Sequence, residues 1–203
     1  MPRKRHQPGT ADHALLGLLR LGPRHGYELA PYFVSQGPLG LVCTLGVSRL
    51  YALLHSLEEL GLVHVEGSIV SGGPPRKVFT LTEAGATAFH EWLDAPIHRL
   101  RQIRQDFLLK LFFSQQLPDH DTTVLVERQL EVSRAVADEL ATLQAAEPPD
   151  SFASMVYESR LAMARATTAW LESELQRARD GSVRTMPGAT MPGTASMAQT
   201  PPR

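Results

Sequence analysis

Several kinds of residue and pattern are scarce in this chain, and each scarcity excludes something. Cys43 is the only cysteine among 203 residues, so no internal disulfide and no cysteine-based zinc site can form. No run approaches the ~20 consecutive apolar residues of a membrane span. The net charge is −1, so the chain has no global basic field of the kind that drives strong non-specific nucleic-acid binding. There is no phosphate-cradling glycine loop and no nucleophile elbow. A small hydrolase or transferase therefore has no supporting constellation, and the chain does not read as an enzyme. Asn is absent altogether, which is taken as compositional bias. A basic MPRKRH precedes ALLGLLRL in the manner of a signal peptide. Asp12 and Arg20 interrupt that pattern and no small-residue cleavage site follows closely, so a cytoplasmic protein is expected.

What is present centres on Thr44–Gly85, TLGVSRLYALLHSLEELGLVHVEGSIVSGGPPRKVFTLTEAG. Leu50, Leu53, Leu54, Leu57 and Leu60 recur at helical spacing and predict an amphipathic helix that ends at Gly61. Its opposite face carries Ser48, Ala52, His55 and Glu59, with Tyr51 at the flank. Two short strands, Leu62–Glu66 and Lys77–Leu81, flank a turn-prone tip at Gly72–Pro75. Arg76 and Lys77 sit beside that tip. A helix followed by a hairpin with a basic tip is the layout of a winged helix-turn-helix, in which the helix enters the major groove and the hairpin rests on the backbone. For a lone helix, an ordinary solvated face would be the better explanation of the small polar side chains; the hairpin favours DNA.

Residues 1–10 read as a flexible basic arm. Ala11–Leu21 predicts a first helix, capped by Thr10 or Asp12 and stopped by Gly22-Pro23. A second runs from His25 to Phe33 across Pro31. A fourth spans Glu83–Asp94 with Thr82 as N-cap and Ala84, Ala88, Phe89 and Trp92 on its apolar side. Pro96 marks the end of a domain over 11–95. Beyond it, 96–180 carries no strand pattern: an apolar segment Phe107–Phe113, a long helix from Thr122 to about Glu147, and another from Ser151 to about Arg179. Val156, Met163 and Trp170 recur at sevens on the last, with Ser159, Ala166 and Ser173 three further on. This large-small repeat suits close helix packing. A second copy of the chain is expected to cover it; a self-contained bundle is the alternative. Residues 181–203 repeat TMPG, cannot bury a core and read as a disordered tail. The fold class is thus mainly α with a small β-hairpin, a winged-helix domain followed by an α-helical dimerisation domain.

HGYEL (His25–Leu29), LYALLHSLEELGLV (Leu50–Val63) and GGPPRKVFTLTEAG (Gly72–Gly85) follow one another at distances that resemble the PadR family of bacterial transcriptional regulators. FLLKLFF (Phe107–Phe113) and the two long helices resemble the C-terminal domain of its two-domain members, virulence activators of the AphA type among them. The resemblance implies a homodimer, usually a repressor, held through its C-terminal helices on an inverted-repeat operator in double-stranded DNA. It implies Tyr51 on the DNA backbone with Ser48, Arg49, Ala52 and His55 near it, the recognition helix lying near 44–60. The wing near 66–78 would grip phosphate through Arg76 and Lys77. Ser56 stands where many members carry a basic residue, and Ala52 and Leu53 where others carry Arg or Pro. Modest affinity per half-site and dependence on dimer formation follow. Members often respond to small aromatic molecules, and Phe89, Trp92 and Phe107 are the candidates to line such a cavity, with plain core as their alternative. The competing function is a protein-interaction module on a winged-helix scaffold that no longer binds DNA, suggested by Glu58, Glu59 and Glu66 near the contact face.

No cofactor is expected, and no metal. Asp119-His120-Asp121 strings ligand-type side chains together, but at a helix start after Pro118, where acids serve the positive end of the helix. His55 and Glu58 lack a second ligand pair. Cys43 reads as a partly buried thiol, with redox sensing as the alternative.

Overall fold

In the computed structural model, residues 8–69 and 76–182 are described. Most of the basic arm, the Gly72–Pro75 wing tip and the TMPG tail lie outside them. Helix α1 spans Thr10–Arg20. A two-residue strand β1 (Arg24–His25), a short helix α2 (Gly26–Leu29) and a 3-10 turn (Ala30–Phe33) follow. Helix α3 covers Val47–Glu59, strands β2 and β3 cover Val63–Ile69 and Arg76–Leu81, and α4 covers Glu83–Asp94. Then come α5 (Leu100–Gln102), a π-helical turn (Ile103–Phe107), α6 (Leu108–Ser114), α7 (Thr122–Ala145) and α8 (Phe152–Arg179).

Local chemistry accounts for the ends of these elements. Gly9 is the N-cap of α1 rather than Thr10 or Asp12; the Asp12 carboxylate accepts from the Gly9 N–H at 2.8 Å. Gly61, at φ 70°, closes α3. Its N–H reaches Glu58 O, and Leu62 N–H reaches Leu57 O, each at 3.0 Å. That is a Schellman stop, which needs a left-handed residue and so favours glycine. The Thr82 hydroxyl accepts from Gly85 N–H at 3.0 Å and starts α4. Pro31, near the start of the 3-10 turn, has no N–H to continue α2.

The sheet is three-stranded and antiparallel, in the order β1-β3-β2. β3 therefore pairs on both sides, with Arg24 opposite Phe79 and His25 opposite Val78. The β2–β3 register shifts between Val65 and Ser68, a bulge that bends the hairpin. Two apolar expectations need correction. Leu60, at the end of α3, and Ala84, on α4, are exposed, and Leu93 rather than Ala84 joins Phe89 in the core. Helical phase explains it: Phe89 and Leu93 are one turn apart, whereas Ala84 lies on the far side.

The hydrophobic core has two centres. The first gathers α1, the 3-10 turn, α3 and α4 around Leu15, Phe33, Leu54 and Phe89. The second joins Ile103 and Phe107 to Leu130 of α7 and Leu171 of α8. Between them, α6 serves both: Leu109, Phe112 and Phe113 belong to the first and Leu111 to the second. Phe113 packs so closely on α1 that a Cβ at Gly17 would stand 2.4 Å from its ring. Packing is thus continuous past the boundary expected at Pro96. The stretch beside Pro96 is pinned by side chains from the second half. The Lys110 ammonium donates to Ala95 O. The buried Gln129 amide donates to Ile97 O at 2.8 Å and accepts from Ile97 N–H at 2.7 Å.

Helices α7 and α8 lie against each other with ion pairs Arg134–Glu172 and Arg179–Glu127 between them. Leu161, Ala164, Leu171 and Leu175 are the face of α8 buried within the chain. The repeat of sevens lies largely outside it: Met163 is exposed, Val156 half-buried, and Trp170 packs edge-on against Phe107 at 6.0 Å. No helix of the described residues is long and apolar enough to cross a membrane.

Candidate nucleic-acid interface

Leu50, Leu54 and Leu57 turn one side of α3 into the core. The opposite side then has to face outward, at about 100° per residue. Ser48, Tyr51, Ala52, His55 and Glu59, the side chains expected from the spacing of the leucines, are exposed there, as is Arg49, which the family resemblance named. His55 is not a free cation. Its ring nitrogens lie 3.6 Å from the Glu58 carboxylate and 3.7 Å from that of Glu59. A protonated His55 would share its charge between those acids and anything it met outside.

Two consecutive residues of HGYEL tie this helix to the hairpin. A Cβ on Gly26 would fall 2.5–2.7 Å from the Tyr51 ring and hydroxyl, so only glycine lets that ring lie over the start of α2. The residue before it, His25, places Nδ1 at 3.2 Å from the carbonyl of Lys77. His25 is itself held by a 2.7 Å bond from its N–H to the Glu28 carboxylate and stacks on Tyr27 at 5.3 Å. The Tyr51 ring and the Lys77 backbone thereby contact two successive residues, Gly26 and His25. Lys77 is exposed. Arg76 opens β3 opposite Ile69; its side chain and the tip beyond it are outside the described residues. The Thr80 hydroxyl donates to Glu66 at 2.9 Å across the strands, which engages one of the acids near the hairpin.

Sequence reasoning missed the part played by His25, Gly26 and Tyr27, because a two-residue strand has no alternation to detect. The only signal was the glycine in a position where a helix former would serve better. Arg24, beside them, is buried, with its guanidinium 5.5 Å from the Tyr32 ring centre.

The three aromatic candidates for a small-molecule site are placed differently from one another. Phe89 and Phe107 are fully buried core side chains. Trp92 is half-buried between the His13 ring, stacked at 4.7 Å, and the Lys110 ammonium, 5.1 Å from its ring centre. Burial holds the His13 imidazole down at about 4 and the Lys110 amine down at about 8. None of the three lines the cavity of about 520 Å³ beside α6. That cavity opens between the 35–42 loop and α6, against Leu39, Leu41, Leu108, Phe112, Trp170 and Glu174. Its size is ordinary for a small-ligand site, roughly 300–1,000 Å³. Cys43 is half-buried near it in sequence; burial raises its thiol pKa, against the opposing pull of Arg49.

Comparison with known proteins gives the following. Residues 15–91 match the family described as transcriptional regulator PadR-like, and residues 103–178 match the virulence activator alpha C-terminal family. The chain is 29% identical over 173 residues to the negative transcriptional regulator PadR of Bacillus subtilis (strain 168), spanning 80% of this chain and 94% of that one. It is similar to the crystal structure of B. subtilis PadR in complex with operator DNA, at 26% identity and a TM-score of 0.44, covering 84% of this chain and 99% of that one. The corresponding complex with p-coumaric acid gives 26%, 0.38, 84% and 99%.

Proposed function

Residues 15–91 of this chain belong to the PadR-like family of transcriptional regulators, and on that premise we propose that it is a repressor binding an inverted-repeat operator as a homodimer. One observation carries the reading. Gly26 lies against Tyr51 of α3 and its neighbour His25 against the Lys77 carbonyl of the hairpin, so one short segment adjoins both elements. A reading helix and a backbone-gripping hairpin must share a face to engage one stretch of duplex. Ser48, Arg49, Ala52 and His55 meet the groove beside Tyr51, and Arg76 with Lys77 meets phosphate. The 29%-identical relative is a negative transcriptional regulator, which favours repression over activation.

Dimerisation is supported by apolar side chains that the chain itself leaves uncovered. Phe152, Met155 and Met163 on α8 are 76%, 57% and 55% exposed, and Leu143 on α7 is 38% exposed. Such a stripe is too apolar for a solvated helix face and suits a second copy. The 96–180 region is thus assigned to dimerisation and 11–95 to DNA. A small aromatic effector fits the cavity beside Trp170 and Phe112 better than the packed Phe89 and Phe107.

The test is a mobility shift of the purified protein on DNA flanking its own gene, with its mass in solution measured alongside. A dimer that shifts the fragment at nanomolar to micromolar concentration, with steep weakening by salt, is the expected result. The acids clasping His55 favour the second reading, a protein-interaction module. A monomer indifferent to the fragment at low salt would select it and end the first.

A further inference from the structure

Among the described residues, one group of side chains has the composition of a metal site. His90, on α4, and Asp119 and His120, in the turn before α7, each bring a ligand atom to within 4.8 Å of the others. The two imidazoles stack with centres 5.2 Å apart. Both nitrogens of His120 are out of solvent and neither has a hydrogen-bond partner. Carboxylates flank them without bonding: Asp119 Oδ1 is 3.8 Å from Nδ1, and Asp94 Oδ1 is 3.5 Å from Nε2. A neutral imidazole has one lone pair to give and one proton to place. Buried polar atoms with neither use are uncommon in folded proteins. Here the surrounding atoms are further electron-pair donors, so the natural partner is an electron-pair acceptor.

We infer that His90, Asp119 and His120 form a binding site for one divalent transition-metal ion of the zinc class. Two imidazoles and a carboxylate are the ligand types such an ion takes, with a position left for water. Nδ1 of His120, on the Asp119 side, takes the metal. Asp94 then accepts the Nε2 proton, the outer carboxylate that commonly fixes a ligating histidine. A tetrahedral ion with bonds of about 2.0–2.1 Å wants its ligand atoms roughly 3.4 Å apart, so the three must close in, and the exposed Asp119 turn is free to do so.

Arg20 marks the place as one that holds a cation. Its Nε donates to His90 Nε2 at 3.2 Å, and its terminal nitrogen lies 3.1 Å from Asp119 Oδ2. The guanidinium thus bridges two of the three ligands. With 34% of its side chain exposed, it withdraws into solvent as the ion enters. The ion would tie α4 to the start of α7, independently of whether the chain binds DNA.

The experiment is titration of the tag-free full chain with Co²⁺ and Zn²⁺. One equivalent of Co²⁺ is expected to give the visible bands of a four- or five-coordinate ion, and Zn²⁺ to displace it and raise the thermal midpoint. His90→Gln and His120→Gln should each weaken uptake at least about tenfold, the scale of losing even a supporting contact. Arg20→Gln should bind as tightly as the parent or more so. Wild-type uptake in both histidine variants, only six-coordinate Co²⁺, or loss of binding in Arg20→Gln would overturn the site. If His120→Gln does not fold, His90→Gln, on a half-buried ring, decides the matter alone, with circular dichroism reporting that it is folded.

Discussion

Replacing Gln129 by methionine isolates a single device, the amide clamp on Ile97. Methionine has nearly the same length and fills the same space, so packing changes little. The 3.3 Å bond to Ser133 Oγ is lost, and with it the two to the N–H and C=O of Ile97 at 2.7 and 2.8 Å. Both are buried, and each backbone group left unpaired costs about 1–3 kcal/mol. Relief from burying the amide itself offsets part of that. The net expectation is a loss of about 2–4 kcal/mol, or roughly 4–16 °C in thermal midpoint for a chain of this size. Thermal unfolding followed by circular dichroism measures the first quantity. Amide exchange at Ile97 measures the second, and protection there should fall much more than in α3. Gln129→Glu keeps an acceptor but no donor and buries a charge, so it should be worse than methionine. A methionine variant within about 0.5 kcal/mol of wild type, the range of ordinary surface changes, would refute the clamp.

Three further outcomes are expected. Gly26→Ala should displace the Tyr51 ring, weakening operator binding about tenfold, the scale of one lost hydrogen bond per half-site, while the thermal midpoint holds or rises because alanine favours helix; unchanged affinity would remove Tyr51 from the contact. Lys77→Ala should lower the log–log salt slope of binding by about 1 per subunit, and a slope identical to wild type in fluorescence anisotropy would take the hairpin off the phosphate. Burial lowers the folded His13 pKa from 6.5 to about 4, so the unfolded chain takes up the proton first on acidification; stability from the neutral ring is intact above about 6.5 and is lost as pH falls from there towards 4. Denaturant titrations at the two ends of that window should show a larger loss for wild type than for His13→Gln, and equal losses would contradict the burial.

Elements made by local rules were legible in the chain. The leucine spacing of α3, its stop at Gly61 and the Thr82 cap of α4 are each settled within a few residues. The outward side chains of α3 followed directly, because the buried face dictates the exposed one. What could not be read depends on distant partners. The strand Arg24–His25 exists only because β3 offers it an edge. The division of Phe107–Phe113 between two cores depends on which distant elements lie against each side of the segment. Trp170 reads as one member of a repeat of sevens, yet it closes a cavity whose other wall is 130 residues earlier. His90 gave no hint of meeting His120, since nothing in a sequence marks two histidines thirty residues apart as neighbours.

The sharing of α6 between the two cores has a consequence for dissection of this protein. A fragment ending at Ala95 would strip Phe113 from Gly17 of α1 and from the Phe89 ring, baring both to water. The first half is therefore not an autonomous piece, and heating the whole chain should produce one melting event in place of two. Any force applied at the rear helices reaches the front ones through shared aromatic rings, with no slack hinge to absorb it.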